Sequence, residues 1–488
     1  MALGDALAWL DGHQNLERML ASSRSTPPDL TRMQRLVDVL GHPERAAPAI
    51  HVTGTNGKTS TSRAITSLLM AKGLSVGTYT SPHLEVINER ISVNGVPIGD
   101  EDLASVLSDL AGLEPLVGDS GSGPLTWFEL LTAAALRWFA DAPVDVMVIE
   151  VGIGGRFDAT NVVDASVAVV TNIGLDHVEF LGPTRADVAG EKSGIVKAGA
   201  TLVLGEQDPN LYSIFRDAVS SVGGSALWWA GRDYDVTRND LAVGGRVLDL
   251  RTPASSYQGL WLDLHGRHQA DNFAAALVAA ESFFAAPIED RLVREAAGSL
   301  STPGRLEVVN RRPLVVLDGA KNLEGARAAA AALESDFGFR PGASESSAKP
   351  SGPSGGPGSS GTPDAGSGES SAGAPALIVV FGMLAGKDPT EMLRALGAEH
   401  ARLIVACLPP SPRAVPTAVI VEAARSLGDA WGASQPSGPE VLETESVADA
   451  VSLALDAAGP DDIVLVAGSL YVVGAARSAL VPADSSLR

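Results

Sequence analysis

The order of apolar and amphipathic stretches predicts an α/β protein. An N-terminal domain of P-loop type is built on a mainly parallel sheet, and a smaller, Rossmann-like α/β domain follows. Three observations carry this expectation. The strand-like runs at 144–151 and 166–171 are rich in Val and Ile and nearly continuous, as strands covered on both faces should be. They alternate with segments of helical period, the pattern of a parallel sheet with crossover helices. At 488 residues the chain is longer than one hydrophobic core supports. The expected division is 1–300 for the first domain, 301–306 for a hinge and 307–488 for the second domain.

In chain order, residues 1–23 read as a helix, and Met33, Leu36, Val37 and Leu40 mark a second one at i, i+3, i+4, i+7. Thr26-Pro27-Pro28 between them is a breaker, and Asp29 is placed as an N-cap. Residues 48–53 form a short buried strand, and Ala64, Ile65, Leu68 and Leu69 recur at helical spacing after it. Between strand and helix lies His51-Val52-Thr53-Gly54-Thr55-Asn56-Gly57-Lys58-Thr59-Ser60. A strand, a Gly-bearing turn with Lys-Thr and a helix make a phosphate cradle: backbone N–H groups and the positive helix end face the anion, and Lys58 adds a full charge. The general pattern G-x-x-x-x-G-K-[ST] would need Gly where Val52 stands, so the match is to a tighter loop, T-G-T-N-G-K. Such a loop specifies a nucleotide but no reaction.

Further strands are expected at 75–80, 144–151, 166–171 and 201–205, and helices at 100–112, 126–140 and 185–197. Residues 226–265 change to β-like alternation with turns at Asn239-Asp240 and Gly244-Gly245, which predicts an antiparallel appendage. A helix returns at 271–284, and Ser301-Thr302-Pro303-Gly304-Arg305 is the expected hinge. Beyond it, strands at 314–317, 376–381, 403–407 and 463–466 and a helix at 323–333 make the second sheet. Residues 341–375 are Ser, Gly, Pro and Ala with few apolar anchors, and are expected to be a disordered insertion.

Composition removes several function classes. The net charge of −22 argues against a nucleic-acid partner, so anionic substrates must be met by local Lys and Arg clusters and by Mg²⁺. A lone cysteine, Cys407, forms no internal disulfide and fits a reducing compartment. Asp5 and Asp11 among the first apolar residues are unlike a signal peptide, and no apolar run is long enough for a bilayer. A cytoplasmic monomer is expected.

The chemistry-bearing stretches fall where strands end. Thr80-Ser81-Pro82-His83-Leu84 runs into Asn88-Glu89-Arg90-Ile91. Glu150 opens Gly152-Ile153-Gly154-Gly155-Arg156-Phe157-Asp158-Ala159-Thr160-Asn161, and Asn172-Ile173-Gly174-Leu175-Asp176-His177 precedes Glu191-Lys192-Ser193-Gly194-Ile195. Ligands of open α/β sheets bind beyond the carboxyl ends of strands, so Ser81, Glu150 and His177 should converge near the phosphate loop. An oxygen, a carboxylate and an imidazole there suit Mg²⁺ beside ATP phosphates.

These segments resemble bacterial folylpolyglutamate synthase/dihydrofolate synthase, a branch of the Mur ligase superfamily. The resemblance runs on through Gly266-Arg267-His268-Gln269-Ala270-Asp271-Asn272, Pro303-Gly304-Arg305-Leu306-Glu307, Leu317-Asp318-Gly319-Ala320 and Ala467-Gly468-Ser469-Leu470-Tyr471. It implies that Gly54, Thr55, Asn56, Gly57, Lys58, Thr59 and Ser60 hold the ATP phosphates, and that Asn272, Arg305 and Asp318 grip ATP across a domain cleft. It implies Ser81, Glu150 and His177 as magnesium ligands, and Lys192 as a carbamylated lysine serving a second Mg²⁺. Asp29, Leu30, Thr126, Trp127, Phe128, Glu129, Phe157, Asp158 and Ala159 would line the pterin or folate pocket. Lys58, Lys192, His177, Asp318 and Lys321 are the implied catalytic set. One departure stands out: the branch reads D-G-A-H-N-P where this chain has Asp318-Gly319-Ala320-Lys321-Asn322-Leu323. Lys321 can neutralise phosphate but cannot be a neutral base near pH 7 without a large fall in pKa. Lys387 and Arg413 lie in the remaining C-terminal loops of the resemblance.

The implied reaction activates the carboxylate of dihydropteroate or a reduced folate with ATP and passes it to the amine of L-glutamate, under a closing second domain that excludes water. The alternatives are another Mur-type amino-acid ligase, or a catalytically silent folate- or nucleotide-binding homologue.

Overall fold

The structure, a computed structural model, describes residues 1–15, 17, 29–117, 123–341, 375–429 and 438–481. The expected breaker at 26–28, most of the expected insertion at 341–375 and the end of the helix expected over 1–23 lie outside these residues.

The chain opens with α1 (Leu3–Asp11) and α2 (Thr31–Val39). α1 ends at Gly12, the residue type with the greatest backbone entropy to lose in a helix. β1 (Ala49–Thr53) leads into α3 (Lys58–Ala71), followed by β2 (Val76–Tyr79), β3 (Ile91–Val93) and β4 (Val96–Pro97). α4 (Asp100–Val117) and α5 (Trp127–Asp141) precede β5 (Val146–Glu150) and β6 (Ala165–Val170). α5 starts where the sequence predicts, because Thr126 and Glu129 form a reciprocal cap: each side chain takes the other's backbone N–H, at 3.3 and 2.7 Å. The short α6 (Val178–Leu181), then α7 (Arg185–Lys192), β7 (Thr201–Leu204), α8 (Pro209–Val222) and β8 (Ala226–Trp229) complete the first unit's sheet.

That sheet has eight strands in the order β4-β3-β2-β5-β1-β6-β7-β8. β1 is central, paired in parallel with β5 on one side and β6 on the other, and the antiparallel pairings are β2 with β3 and β3 with β4. The carboxyl ends of β1, β2, β5 and β6 therefore share one rim, where the chemistry-bearing loops emerge. β1 and β5 are buried at every position, which accounts for their unbroken apolar sequence. Ile50, Val52, Ile65 and Leu68 pack one face of the sheet against the later helices, and Tyr79, Ile149, Leu131 and Leu136 pack the other against α4 and α5. Cutting Leu68, which has no exposed surface, to Ala costs about 2–5 kcal/mol.

Two expectations need correction here. Residues 226–229 are the last parallel strand of the main sheet, paired with β7, and not the start of an appendage. As an edge strand β8 is half-buried throughout, so it lacks the continuous apolar signature of its neighbours. The helix expected over 185–197 stops at Lys192 and tightens into a 3₁₀ turn, Ser193–Ile195. There Gly194 lies flush against Arg156, and its carbonyl accepts the Asn161 side chain.

The appendage itself is a three-stranded antiparallel sheet of β9 (Asp235–Ala242), β10 (Gly245–Arg251) and β11 (Ser256–Leu262). Asn239-Asp240 lies inside β9 and is no turn; on this exposed edge strand polar residues face solvent, and Asn239 serves Arg246. Gly244, at φ +77°, makes the turn as expected. α9 (Arg267–Phe284) and α10 (Asp290–Gly298) then cross back, and Phe273 and Leu277 of α9 join the core beneath α3.

The second sheet comprises β12 (Arg305–Arg311), β13 (Leu314–Asp318), β14 (Leu377–Phe381), β15 (Leu403–Cys407), β16 (Glu440–Thr444) and β17 (Ile463–Ala467). Its order is β12-β13-β17-β14-β15-β16, parallel except for β12. α11 (Leu323–Ser335), α12 (Pro389–Ala395), α13 (Thr417–Asp429), α14 (Val447–Ala457) and α15 (Leu470–Leu480) cover its faces. Arg305 and Leu306 belong to β12 and are not linker. Leu306 carries φ +51° at a one-residue bulge, with its side chain 1% exposed in the core. The two units are pinned by Asp336 at the end of α11, which pairs with Arg246 of β10 at 2.6 Å and accepts the Gly266 N–H at 2.8 Å. A second pin joins Arg477 of α15 to Glu85 and Glu307.

Candidate active site

β1 ends in the loop Gly54–Gly57, and α3 begins at Lys58. Gly57, at φ +80°, makes the entry turn, and a Cβ there would collide with the side chain of Asn272 on α9. Gly54 lies as close to Thr171. The loop is laced to the segment after β6: Asn56 N–H donates to Asn172 Oδ1 at 2.8 Å, and Thr171 Oγ1 donates to Asn56 O at 2.6 Å. Thr55 Oγ1 exchanges bonds with the Gly174 backbone. The loop is therefore held open, and the amino end of α3 faces a cavity.

That cavity, about 420 Å³, lies between the two sheets. On one side stand the phosphate loop, Ser81, Glu150 and α9 from His268 to Ala275. On the other stand Arg305, Asp318 to Lys321 and Glu324. Its far end is walled by Gln207, Tyr234 and Asp235. A space of this size, with helix-end N–H groups and a lysine at one end, fits a nucleoside triphosphate.

Glu150 is 1% exposed and accepts the Thr59 hydroxyl at 3.0–3.1 Å and Ser81 N–H at 3.3 Å. Burial raises its pKa, with Lys58 pulling the other way. Behind Lys58 is a second, small hollow lined by Thr53, Gly54, Asp176, His177, Lys192 and Lys321. Lys192 Nζ, 3% exposed, donates to Gly54 O at 2.9 Å, and Lys58 Nζ donates to the same carbonyl at 3.1 Å. Burial, and next the Lys58 charge, lower Lys192 to about 7. Burial lowers Lys321 to about 8, despite the opposing pull of Asp176. His177 is held in the neutral form by burial and then by Lys321. The Asp176 carboxyl, which burial alone would raise, is kept ionised by Lys321 and then by Lys387.

The predicted ligands thus gather around Lys58, but in two groups. Ser81 and Glu150 share the large cavity with it, and His177 and Lys192 share the small one. The donor set fits a hard cation bound partly by phosphate and water. Among the described residues no three His, Cys, Asp or Glu side chains could enclose a metal, whereas one buried carboxylate flanked by hydroxyls suits Mg²⁺, which keeps several waters.

The second sheet supplies the remaining residues. Asp318 is buried; its oxygens accept the N–H of Ala320 at 2.9 Å and of Leu306 at 3.0 Å, and burial raises its pKa. Arg305 Nη1 donates to Gly319 O at 3.1 Å. Three residues that the sequence did not single out close the cleft. Asn322 donates to Asn56 Oδ1 at 2.9 Å, Glu324 accepts from Asn56 Nδ2 at 3.3 Å, and Asp176 takes Lys387 at 3.0 Å. The signal for Asp176 was its place beside His177 in I-G-L-D-H; Asn322 and Glu324 had no signal beyond following Lys321.

Of the residues expected to line a pterin pocket, Trp127, Phe128 and Ala159 lie on the face of the sheet covered by α4 and α5. Phe128 is half-buried, tilted against Tyr79 at 6.0 Å, and Gly152 lies directly beneath its ring. Trp127 is 2% exposed: its Nε1 donates to Asp11 at 3.0 Å, and the Arg90 guanidinium sits 4.9 Å from its ring. Glu129 is held by Arg32, whose Nε–H is shared between the two carboxylate oxygens at 3.0 and 3.1 Å. Asp158 accepts Ile153 N–H and Thr160 N–H at 3.0 Å, Ala159 is buried, and Phe157 is 46% exposed. Asp29 accepts Thr31 N–H at 2.9 Å and so orders the start of α2, where the cap position is Leu30. Arg413 donates to the carbonyls of Glu17 and Ala385.

Comparison with known proteins gives the same picture. Residues 103–280 match the Mur ligase middle domain, and residues 368–470 match the Mur ligase glutamate ligase domain. The dihydrofolate synthase/folylpolyglutamate synthase of Mycobacterium tuberculosis is 35% identical, over 92% of this chain and 90% of that protein. The Bacillus subtilis protein of the same name is 37% identical, over 69% and 77%. The crystal structure of Mycobacterium tuberculosis folylpolyglutamate synthase complexed with ADP and AMPPCP superimposes with a TM-score of 0.82 at 34% identity, covering 99% of this chain and 98% of that one. With the phosphate loop, the buried carboxylate beside it and the two-sheet cleft in place, this chain belongs to the dihydrofolate synthase/folylpolyglutamate synthase family of Mur-type ligases.

Proposed function

We propose that the chain is an ATP-dependent ligase that joins L-glutamate to dihydropteroate, to the γ-carboxylate of a reduced folate, or to both. The observation that carries this is the meeting of Lys58, Lys192 and Lys321, from three separate elements, in one hollow beside the loop. Three ammonium groups packed together are unfavourable unless anionic groups come between them, and phosphoryl transfer to a carboxylate puts anions there.

The loop N–H groups and Lys58 hold the triphosphate in line with the substrate carboxylate. A carboxylate oxygen bonds to the γ-phosphorus and ADP leaves, which gives an acyl phosphate. The glutamate amine then bonds to the acyl carbon, loses a proton, and orthophosphate departs. Lys321 replaces an imidazole at this point with a charge that pairs with the moving phosphoryl group. Glu150 and Ser81, and on the other side His177 and Lys192, are the residues that would hold Mg²⁺, which when bound neutralises phosphate charge. Lys192, its pKa lowered to about 7, is available as a neutral amine that adds to CO₂ and releases a proton. The resulting carbamate is an anion suited to a cation. Arg305 and Asp318 face α9 across the cleft, so closure about residues 301–304 would exclude water from the acyl phosphate.

Mass spectrometry of products formed from ATP, Mg²⁺, glutamate and either dihydropteroate or a reduced folate tests the reading. A product heavier by one glutamyl residue is expected with at least one acceptor. Tight ATP binding with no phosphate released in any mixture would sink it.

A further inference from the structure

Beside the nucleotide cavity lies a hollow that the ligase reading leaves unused. It holds about 30 Å³ between α3, the loop after β2 and residues 302–305. At roughly 10–15 Å³ per water, that is room for two or three waters or one small tetrahedral ion. Arg63, one turn along α3 from Ser60, lines it. Among the described residues Arg63 donates no hydrogen bond and forms no ion pair. The carboxylate acting on it most strongly, Glu89, also lines the hollow, but is already engaged with the N–H groups of Leu84, Glu85 and Val86 at 2.8, 2.8 and 2.7 Å. Burial pulls the Arg63 pKa down, Glu89 and Glu150 oppose this, and Arg477 and Arg305 add to it.

Arg305 lines the same hollow. So does Thr302, 5% exposed, whose hydroxyl has no hydrogen-bond partner among the described residues. Ser60 and Thr80, 4% and 6% exposed, add two more hydroxyls. Buried hydroxyls are nearly always satisfied, so the orphaned Thr302 hydroxyl, lining one hollow with a half-buried guanidinium that holds no carboxylate, marks a missing partner. Two guanidiniums and three hydroxyls call for an oxyanion.

We propose that this hollow is a binding site for orthophosphate, with Arg63 and Arg305 on its charge and Thr302, Ser60 and Thr80 on its oxygens. Thr59, Ser60 and Arg305 line both this hollow and the nucleotide cavity, so the site adjoins the phosphate loop. The phosphate released by ligation is the source expected, and this point alone rests on the proposed reaction. Because Arg63 belongs to the first unit and Thr302 to the segment joining the two, a bound ion would tie them together until it leaves.

The test is titration of inorganic phosphate into the full chain, in chloride buffer, with the loop filled by a saturating non-hydrolysable ATP analogue. One phosphate should bind the wild type, with sulfate competing. Arg63→Met should weaken it at least tenfold, Thr302→Val about threefold, and Arg63→Lys less than Arg63→Met. In turnover assays phosphate should inhibit non-competitively against ATP in the wild type and not in Arg63→Met. Phosphate excluded by the analogue would place it in the nucleotide loop and overturn the proposal. So would variants that bind as the wild type does; if Arg63→Met fails to fold, Arg63→Lys and Thr302→Val decide. An inactive ligase leaves the binding result intact, so the two failures are separable.

Discussion

Asn322 Nδ2 lies 2.9 Å from Asn56 Oδ1, so the loop that follows β13 rests directly on the phosphate loop. The same amide reaches Asp176 Oδ2 at 3.4 Å, and Asp176 in turn holds Lys387. The second unit therefore registers the position of the nucleotide loop through the Asn322 amide, with Glu324 on the other side of the Asn56 amide. A neutral hydrogen bond of this kind contributes about 1 kcal/mol. Asn322→Ala should raise the KM for ATP roughly fivefold and leave the melting temperature of the first unit unchanged, as read by steady-state kinetics and calorimetry.

Lys58→Ala should reduce ligation by three orders of magnitude or more, on the scale of lost charge stabilisation in phosphoryl transfer. Circular dichroism should show an unchanged fold, because among the described residues Lys58 bonds only to carbonyls of its own loop. Full activity in this variant would rule the mechanism out.

Lys321, with its pKa near 8, is a cation at neutral pH and loses its charge as pH rises through that value. If that charge meets the phosphoryl group, kcat/KM should fall above about pH 8. Lys321→Arg, which keeps its charge far above that pH, should move the falling limb upward. An identical profile in both enzymes would remove Lys321 from the chemistry.

Lys192→Ala should be nearly inactive and partly restored by short carboxylic acids, which replace the carbamate oxygens. Intact-protein mass spectrometry in bicarbonate buffer, under non-acidifying conditions, should show the CO₂ adduct on the wild type alone.

His51 has no exposed surface; its Nε2 is 2.9 Å from Thr160 Oγ1, and its Nδ1 has no partner among the described residues. Burial, and then Lys197, lower its pKa to about 3. As pH falls below about 6.5 the unfolded chain takes up a proton that the folded chain refuses. Stability is therefore lost progressively between about pH 6.5 and 3, by roughly 1.4 kcal/mol per pH unit from this group. His51→Asn should flatten the fall of melting temperature with pH across that window; an unchanged slope would refute the assignment.

The parts of the molecule legible in its sequence were those set by local pattern. The loop from Gly54 to Ser60 and the strand over 403–407 could be read directly, because glycine chemistry and unbroken burial leave a mark within a few residues. The gathering of side chains was legible only as an expectation drawn from strand ends. Lys192 meets Gly54 across 138 residues and Asn322 meets Asp176 across 146, separations that no periodicity encodes. Residues 226–229 misled because an edge strand is half covered, and half-covered strands look alike in parallel and antiparallel sheets.

Leu306 has a bearing on how Asp318 variants would behave. Its N–H donates to Asp318 Oδ2 at 3.0 Å at the left-handed kink, while its side chain fills the core. Removing that carboxylate leaves the buried Leu306 N–H without its acceptor at the kink next to Arg305, which lines the cleft. Damage at Asp318 would thus travel down the strand to the neighbouring guanidinium, far beyond the one atom deleted.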